Sequence, residues 1–345
     1  MRENRSWKVE EVTDLGSLEA LRAEWSSLCD SSPRTTPFQR PEWLIPWWRA
    51  FRPGEPWVLA VRREARLAAL APFLLYRPQN GARTVAFCGG GVSDYCDVVT
   101  DPETEEEAVR LLLDHLAARR DRWDACDFEP MPAESPLLRV PAPEGWEDRT
   151  EVRDVCPVLH LPDRLEDLRQ VVPNRQLYNL RHYRRKAQAL GDLRLERADG
   201  EAWEGFLDTL IRLHGARWNE QGQAGMLAGD DLRAFHREVA AGFAARGALG
   251  LYVLCLNGDP IAALHGVHER DTYFYYMQGF DPAHSKLSPG VMVIGGVIED
   301  VLQRGARKVD FLRGRETYKY WWGTKDRETF RRILSPPGSN PAPGG

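Results

Sequence analysis

The residues best suited to chemistry in this 345-residue chain concentrate in its second half. Ser288-Pro-Gly290 reads as a helix start. A serine hydroxyl can cap the first amides, and proline suits the first helical position because its missing N–H would be unpaired anyway. Gly290 leaves the first turn bare, so an anion can approach exposed amides at the positive end of the helix dipole. A second anion-directed feature lies upstream, where Arg181, Arg184 and Arg185 cluster with Lys186 beside them. Such a cluster repels itself unless acids or a bound anion offset it. It reads either as a solvated basic face or as an electropositive lip for phosphate. Both features suit a transferase whose donor carries phosphate.

Other candidates are less directed. His214, with Arg217 and Trp218, ends a helical stripe of Trp203, Phe206, Leu210 and Leu213. It is either a partner for the helix dipole or a group that shapes an acceptor pocket and takes a proton from an attacking amine. His265 sits in Pro260–His268 and Tyr273 in the next segment; in a hairpin the two can face one cleft, against the competing reading of a core histidine. Gly89-Gly-Gly91 lacks the strand-loop-helix sequel of a phosphate loop and reads as a turn, and Asp97 is a candidate acceptor contact. Cysteines 29, 88, 96, 126, 156 and 255 are scattered without a CxxC pair, so reduced thiols are expected and no metal site.

The elements that must position these groups follow from pattern. Asp271–Gln278 is aromatic and reads as a strand; Val291, Ile294, Ile298 and Val301 lie at helical spacing; Arg307–Arg313 reads as a second, buried strand. Strand, helix and parallel strand make a right-handed crossover, with a ligand expected where the two strands splay beside the helix N-terminus. Gly295 and Gly296 are expected to let the helix sit close to the sheet. A helix from near Pro173 carries the stripe Leu177, Leu180, Tyr183, Ala187 and Leu190. Upstream, strands are expected at 57–62, 67–75, 84–88, 95–99 and 123–128, with a helix over roughly 103–120.

Composition bounds the class. Apolar content of 43% and charged content of 28% mark a globular chain. No run approaches the roughly 18 apolar residues that span a bilayer, and Met1–Ser6 lacks a signal-peptide core, so a cytoplasmic setting is expected. The net charge is −5; residues 151–335 carry 27 Lys+Arg against 25 Asp+Glu, a net of +2, which leaves −7 elsewhere. A bulk basic footprint for nucleic acid is missing. Prolines between 130 and 143 mark a boundary, giving expected domains at 1–150 and 151–335 and a disordered tail at 336–345.

Residues from about 150 to 335 resemble the GNAT acyltransferase superfamily. More narrowly, they resemble the BioF2-like or cellulose-biosynthesis CelD-like branch, related to the Fem peptidyltransferases. The matching pieces are Arg181-His-Tyr-Arg-Arg-Lys186, Leu213-His-Gly-Ala-Arg-Trp218, Gly279-Phe-Asp-Pro282, Ser288-Pro-Gly290 and Asp310-Phe-Leu-Arg-Gly-Arg-Glu-Thr-Tyr-Lys319, with Thr36-Pro-Phe-Gln-Arg-Pro-Glu-Trp43 and Trp47-Trp48 in the first half. One departure is plain: the Gln/Arg-x-x-Gly-x-Gly/Ala loop of acetyl-coenzyme A binders is replaced by Ser285-Lys-Leu-Ser-Pro-Gly290.

The resemblance implies an α/β fold of tandem GNAT-like domains, each a mixed central sheet flanked by helices, the first degenerate and on the acceptor side. It implies an N-acyltransferase moving an acyl group from acyl-coenzyme A or acetyl-coenzyme A, as co-substrate and without metal, to an amine or hydroxyl of a small acceptor. Tyr318 is then the general acid for the leaving thiolate, with His265 and His214 as further catalytic candidates. Ser288, Gly290, Arg181, Arg184, Arg185 and Arg313 would bind the donor, and Asp97, Arg217, Trp218, Tyr273 and Glu316 the acceptor. The alternatives are a Fem-like transferase using charged tRNA, and a non-catalytic scaffold of polysaccharide biosynthesis.

Overall fold

A computed structural model describes residues 7–77, 81–220 and 229–338, without the side chains of 201 and 217–220. Two compact units emerge: unit 1 is Met1–Asp154 with Arg327–Gly345, and unit 2 is Val155–Asp326. The tail expected over 336–345 falls outside the described residues from 339 onward.

Unit 1 contains β1 (Trp7–Val12), α1 (Leu15–Ala20), α2 (Arg22–Ser31), α3 (Pro41–Phe51), β2 (Glu55–Pro56), β3 (Val58–Arg63), β4 (Arg66–Ala71), β5 (Phe73–Tyr76), β6 (Thr84–Phe87), β7 (Val99–Thr100), α4 (Glu105–Ala118) and β8 (Ala125–Pro132). Its first sheet, β1-β3-β4-β7, is antiparallel. The second runs β15-β8-β6-β5-β2, where β15 is Lys325–Ser335, and is mixed because β6 and β8 are parallel. Pairing with β8 is what assigns the chain from Arg327 to unit 1, whereas the sequence pattern runs it on with the second half. Helix α4 opens on Glu105, Glu106 and Glu107, which favour the dipole, and buries Ala108, Val109, Leu112, Leu113 and Leu116 at three- and four-residue spacing. The strand expected over 95–99 shrinks to Val99–Thr100, because the Tyr95 carbonyl accepts from the Gln39 side chain and the Cys96 amide donates to Pro130.

Unit 2 takes in the end of β9 (Glu147–His160), then α5 (Asn174–Gln188), β10 (Leu193–Arg197), α6 (Trp203–Glu220), α7 (Asp230–Ala245), β11 (Leu249–Leu256), β12 (Asp259–Glu269), β13 (Thr272–Phe280), α8 (Pro289–Gln303), β14 (Lys308–Asp310) and α9 (Thr317–Tyr320). Its strand order is β10-β11-β12-β13-β14-β9, antiparallel except for the parallel β13–β14 pair that α8 joins. Strand side chains alternate between two faces. On one face Leu264, Tyr273 and Tyr275 join Leu177 and Leu180 of α5 and Met292, Val293 and Ile298 of α8 in one apolar cluster. On the other, α6 crosses β13 so closely that a Cβ at Gly279 would collide with the Leu213–His214 backbone.

Three expectations change here. Gly295 does not bring α8 onto the sheet; it admits Leu180 of α5, whose Cδ1 would lie 2.6 Å from an added Cβ, while Gly296 faces Leu195 of β10. Leu190 lies past the end of α5 and is 62% exposed, so the stripe stops at Ala187. The strand expected at 307–313 survives only as Lys308–Asp310: the Asp310 carboxylate accepts the Leu312 amide at 2.8 Å and Leu312 turns left-handed at φ 58°. All six cysteines are buried and none forms a disulfide. Among the described residues no helix is long and apolar enough to cross a membrane, and no His/Cys/Asp/Glu cluster is arranged to hold a metal ion.

Candidate active site

The parallel pairing of β13 with β14 lasts for only three residues, Thr272–Phe274 against Lys308–Asp310. β13 then continues to Phe280 while β14 stops, and a cleft of about 300 Å³ opens. β13 contributes Gln278 and Phe280; the turn into α8 contributes Ser285 and Ser288; α8 itself contributes Pro289, Gly290, Val291 and Ile294. Tyr318, Trp321 and Trp322 close the remaining side. A β-bulge sets which residues look into it. Between the pairs His265↔Met277 and Gly266↔Tyr275, β13 carries Tyr276 as an extra residue. Tyr275 consequently faces the cleft side, its hydroxyl 3.5 Å from that of Tyr318, and Tyr276 faces the opposite way against His265 and His236.

The segment carrying Tyr318 is held by a buried cation. Lys319, 3% exposed, donates from Nζ to the Leu312 carbonyl at 3.0 Å and the Arg313 carbonyl at 2.6 Å, and meets Glu316 at 3.0 Å. A short left-handed loop is thereby locked before Tyr318, and Tyr318 packs against the α8 cluster. Glu316, an expected acceptor contact, instead offers its carboxylate to Lys319, and Arg313 is an exposed side chain on the same loop.

Ser288 and Gly290 reach the cleft, but Ser288 does not cap. It sits at φ 50°, ψ 56°, so its side chain makes no capping bond and only its carbonyl serves α8, accepting from Val291 at 3.0 Å. The arginine helix does not line the cleft. Arg184 makes a bidentate pair with Glu299 of α8 at 2.9 and 2.7 Å, while Arg181 and Arg185 are exposed. Lys186 ties α5 to the turn before α8 by donating to the Lys286 carbonyl at 3.0 Å.

The histidines lie behind the sheet. His265 of β12 and His236 of α7 are 1% and 2% exposed, and neither ring nitrogen of either has a partner among the described residues. Burial holds His236 down to about 3, with His265 and His214 adding to the effect, and burial alone holds His265 down to about 4. His214 is buried beside them on α6. The expected pairing of His265 with Tyr273 fails despite the hairpin, because the two point to opposite faces. Tyr273 is fully buried, donates to the Gly250 carbonyl at 2.8 Å and meets the tilted ring of His268 at 4.8 Å instead. Asp97, in unit 1, is buried and accepts from Ser135 Oγ at 2.7 Å and the Val98 amide at 2.8 Å; burial pushes its carboxyl up to about 7. Gly89–Gly91 form a turn, with Gly89 at φ 102°. Arg217 and Trp218, expected at the acceptor, lie outside the described side chains.

Sequence reasoning missed Gln278, His236 and the clamp role of Lys319. Gln278 carried a usable signal, as the one amide side chain in an otherwise aromatic and apolar strand.

A family model for an acetyltransferase (GNAT) domain matches residues 174–320, from the first residue of α5 to the last of α9. Residues 174–320 are a GNAT domain. The cleft lies within the matched GNAT span apart from Trp321 and Trp322. Among solved structures, FemX aligns with 94% of this chain and 96% of its own at 12% identity and a TM-score of 0.68. The C-terminal domain of a putative lysylphosphatidylglycerol synthetase from Agrobacterium fabrum aligns over 91% of both chains at 10% identity, TM-score 0.58. L-PGS from Bacillus licheniformis covers 79% of this chain and 82% of its own at 10% identity, TM-score 0.53. At these identities the likeness is one of fold. No curated protein matches the chain by sequence.

Proposed function

We propose that unit 2 transfers an acyl group from a thioester donor, of the acyl-coenzyme A kind, to an amine or hydroxyl of a small acceptor. The observation that carries this reading is the cleft itself: two strands that part after three paired residues, a helix N-terminus at the mouth, and a tyrosine hydroxyl on the far wall. The acceptor attacks the thioester carbonyl, the C–S bond breaks, and the departing thiolate takes the Tyr318 phenol proton; the proton of the attacking group leaves to solvent. Tyr275, 3.5 Å away, is the neighbour through which Tyr318 can be reprotonated. Positioning does most of the work in such a direct transfer. His265 and His214 take no part, because they are buried behind the sheet. Donor phosphates extend past the α8 N-terminus toward the exposed side of α5, where Arg185 and Lys186 stand.

A thermal-shift panel with coenzyme A, acetyl- and longer acyl-coenzyme A, and charged tRNA tests the donor class. A ligand at 100 times its Kd adds about 2.7 kcal/mol and raises Tm by a few degrees. The reading expects a shift with the coenzyme A series that Gly290→Trp removes. A second reading, an aminoacyl group taken from charged tRNA, draws on the fold shared with FemX along almost the whole chain. A shift with charged tRNA alone establishes that reading in place of the first.

A further inference from the structure

We propose that Gln278 sets donor specificity: its carboxamide oxygen accepts a hydrogen bond from an N–H on the donor's uncharged arm. This rests on the thioester-donor reading and adds a residue and a chemical requirement to it.

Three observations converge. Gln278 Oε1 is buried and has no hydrogen-bond partner among the described residues. A buried carbonyl left unmatched is costly, and native structures usually satisfy such atoms with protein, water or ligand. The carboxamide also stands directly over the α8 entrance, since a Cβ built on Gly290 would lie 3.7 Å from Oε1 and 3.8 Å from Nε2. Finally, among the described residues no charged side chain lines the cleft; Phe280, Val291, Ile294 and the two tryptophans make its walls. An ion would lose its hydration there without a counter-charge. A plain hydrocarbon would fit the walls and leave Oε1 unmatched. The occupant that answers both conditions is a neutral, flexible chain with apolar segments on either side of a secondary amide. The arm of a coenzyme A-type thioester has that composition.

The bulge at Tyr276 is what brings this about. Without the extra residue, the alternation of β13 would turn Gln278 toward α6 and away from the cleft. A polar residue is thus placed on the ligand side of a strand whose neighbours on that side, Tyr275 and Phe280, are aromatic.

The test is calorimetric titration of the full-length protein and its Gln278→Leu and Gln278→Met variants with two probes. Acetyl-coenzyme A carries the arm; adenosine 3′,5′-bisphosphate carries only the nucleotide end. We expect both variants to weaken acetyl-coenzyme A about 10- to 100-fold while leaving adenosine 3′,5′-bisphosphate within about threefold. Their Tm should match or exceed that of the parent, since an apolar side chain removes the unmatched oxygen. If the variants bind acetyl-coenzyme A as well as the parent does, the assignment of Gln278 is wrong and the donor reading stands. Equal loss for both probes overturns the assignment in favour of a general distortion of the cleft. A parent protein that binds neither probe overturns the donor reading itself, and the arm assignment with it.

Discussion

The two faces of the unit 2 sheet carry opposite solutions to the problem of polar groups in an apolar layer. Behind the sheet, α6 and α7 press His214, His236 and His265 into a buried core, where burial holds His236 and His265 neutral far below their ordinary range. In front, the helix N-terminus, Gln278 and Tyr318 leave neutral polar atoms around an open cleft, with a single buried cation, Lys319, satisfied by carbonyls just outside it. Histidine is the residue type most readily associated with proton transfer at neutral pH. Here His214, His236 and His265 lie on the sealed face, and the cleft has no histidine among its lining residues.

The sharpest way to break this contrast is through glycine. Gly279→Val on the sealed face forces a side chain into the α6 backbone and should cost about 3 kcal/mol or more, read as a collapse of the urea midpoint. Gly290→Ala on the open face meets nothing closer than 3.7 Å and should leave that midpoint unchanged. Next is Lys319→Met, which strips the Leu312 and Arg313 carbonyls of their donor. A loss of about 2–4 kcal/mol is expected, together with a fall in transfer activity as the loop before Tyr318 loosens. Tyr318→Phe should lower the transfer rate about 100-fold, or about 2.7 kcal/mol in the barrier, while melting within a degree of the parent. The pH response is the most gradual effect and belongs to the sealed face. Unfolded, His236 and His265 bind protons near 6.5; folded, they do so only near 3 and 4, so the unfolded chain holds more protons in between. Stability should therefore fall as pH drops from about 6.5 toward 4, and His236→Phe should flatten that slope by about 1 kcal/mol per pH unit in melts at stepped pH.

Much of the open face was legible in the sequence. The aromatic run to Gln278, Ser288-Pro-Gly290 and the short strand after α8 gave the crossover and the start of its helix, because strand alternation and helix-start chemistry are local signals. Tyr318 was singled out through the family resemblance, since its spacing alone reads equally as a packing aromatic. What escaped depends on one register event. The extra residue at Tyr276 decides that Gln278 looks into the cleft, yet nothing within the strand's own composition marks where a bulge will fall; Tyr273 and His265 look apart because Tyr273 pairs with His268, three residues along β12 from His265. Arg184 was misread for a similar reason, since its answering acid, Glu299, lies 115 residues away on α8. His236 drew no notice because a single histidine in an apolar helix has no motif, and its neighbours come from α6 and β12.

Ser288 adds a consequence about the cost of association. A non-glycine residue in the left-handed region is strained by about 1 kcal/mol or more, and here the hydroxyl gains no capping bond in return. That strain is borne by the fold before any ligand arrives, with the turn fixed by the Ser288 amide donating to Ser285 and by Lys186 gripping Lys286. A ligand entering the cleft thus meets a rim already ordered, and loses little of its binding energy to freezing loose chain. Its residence time should be governed by the contacts it makes with the walls, not by the opening and closing of that turn.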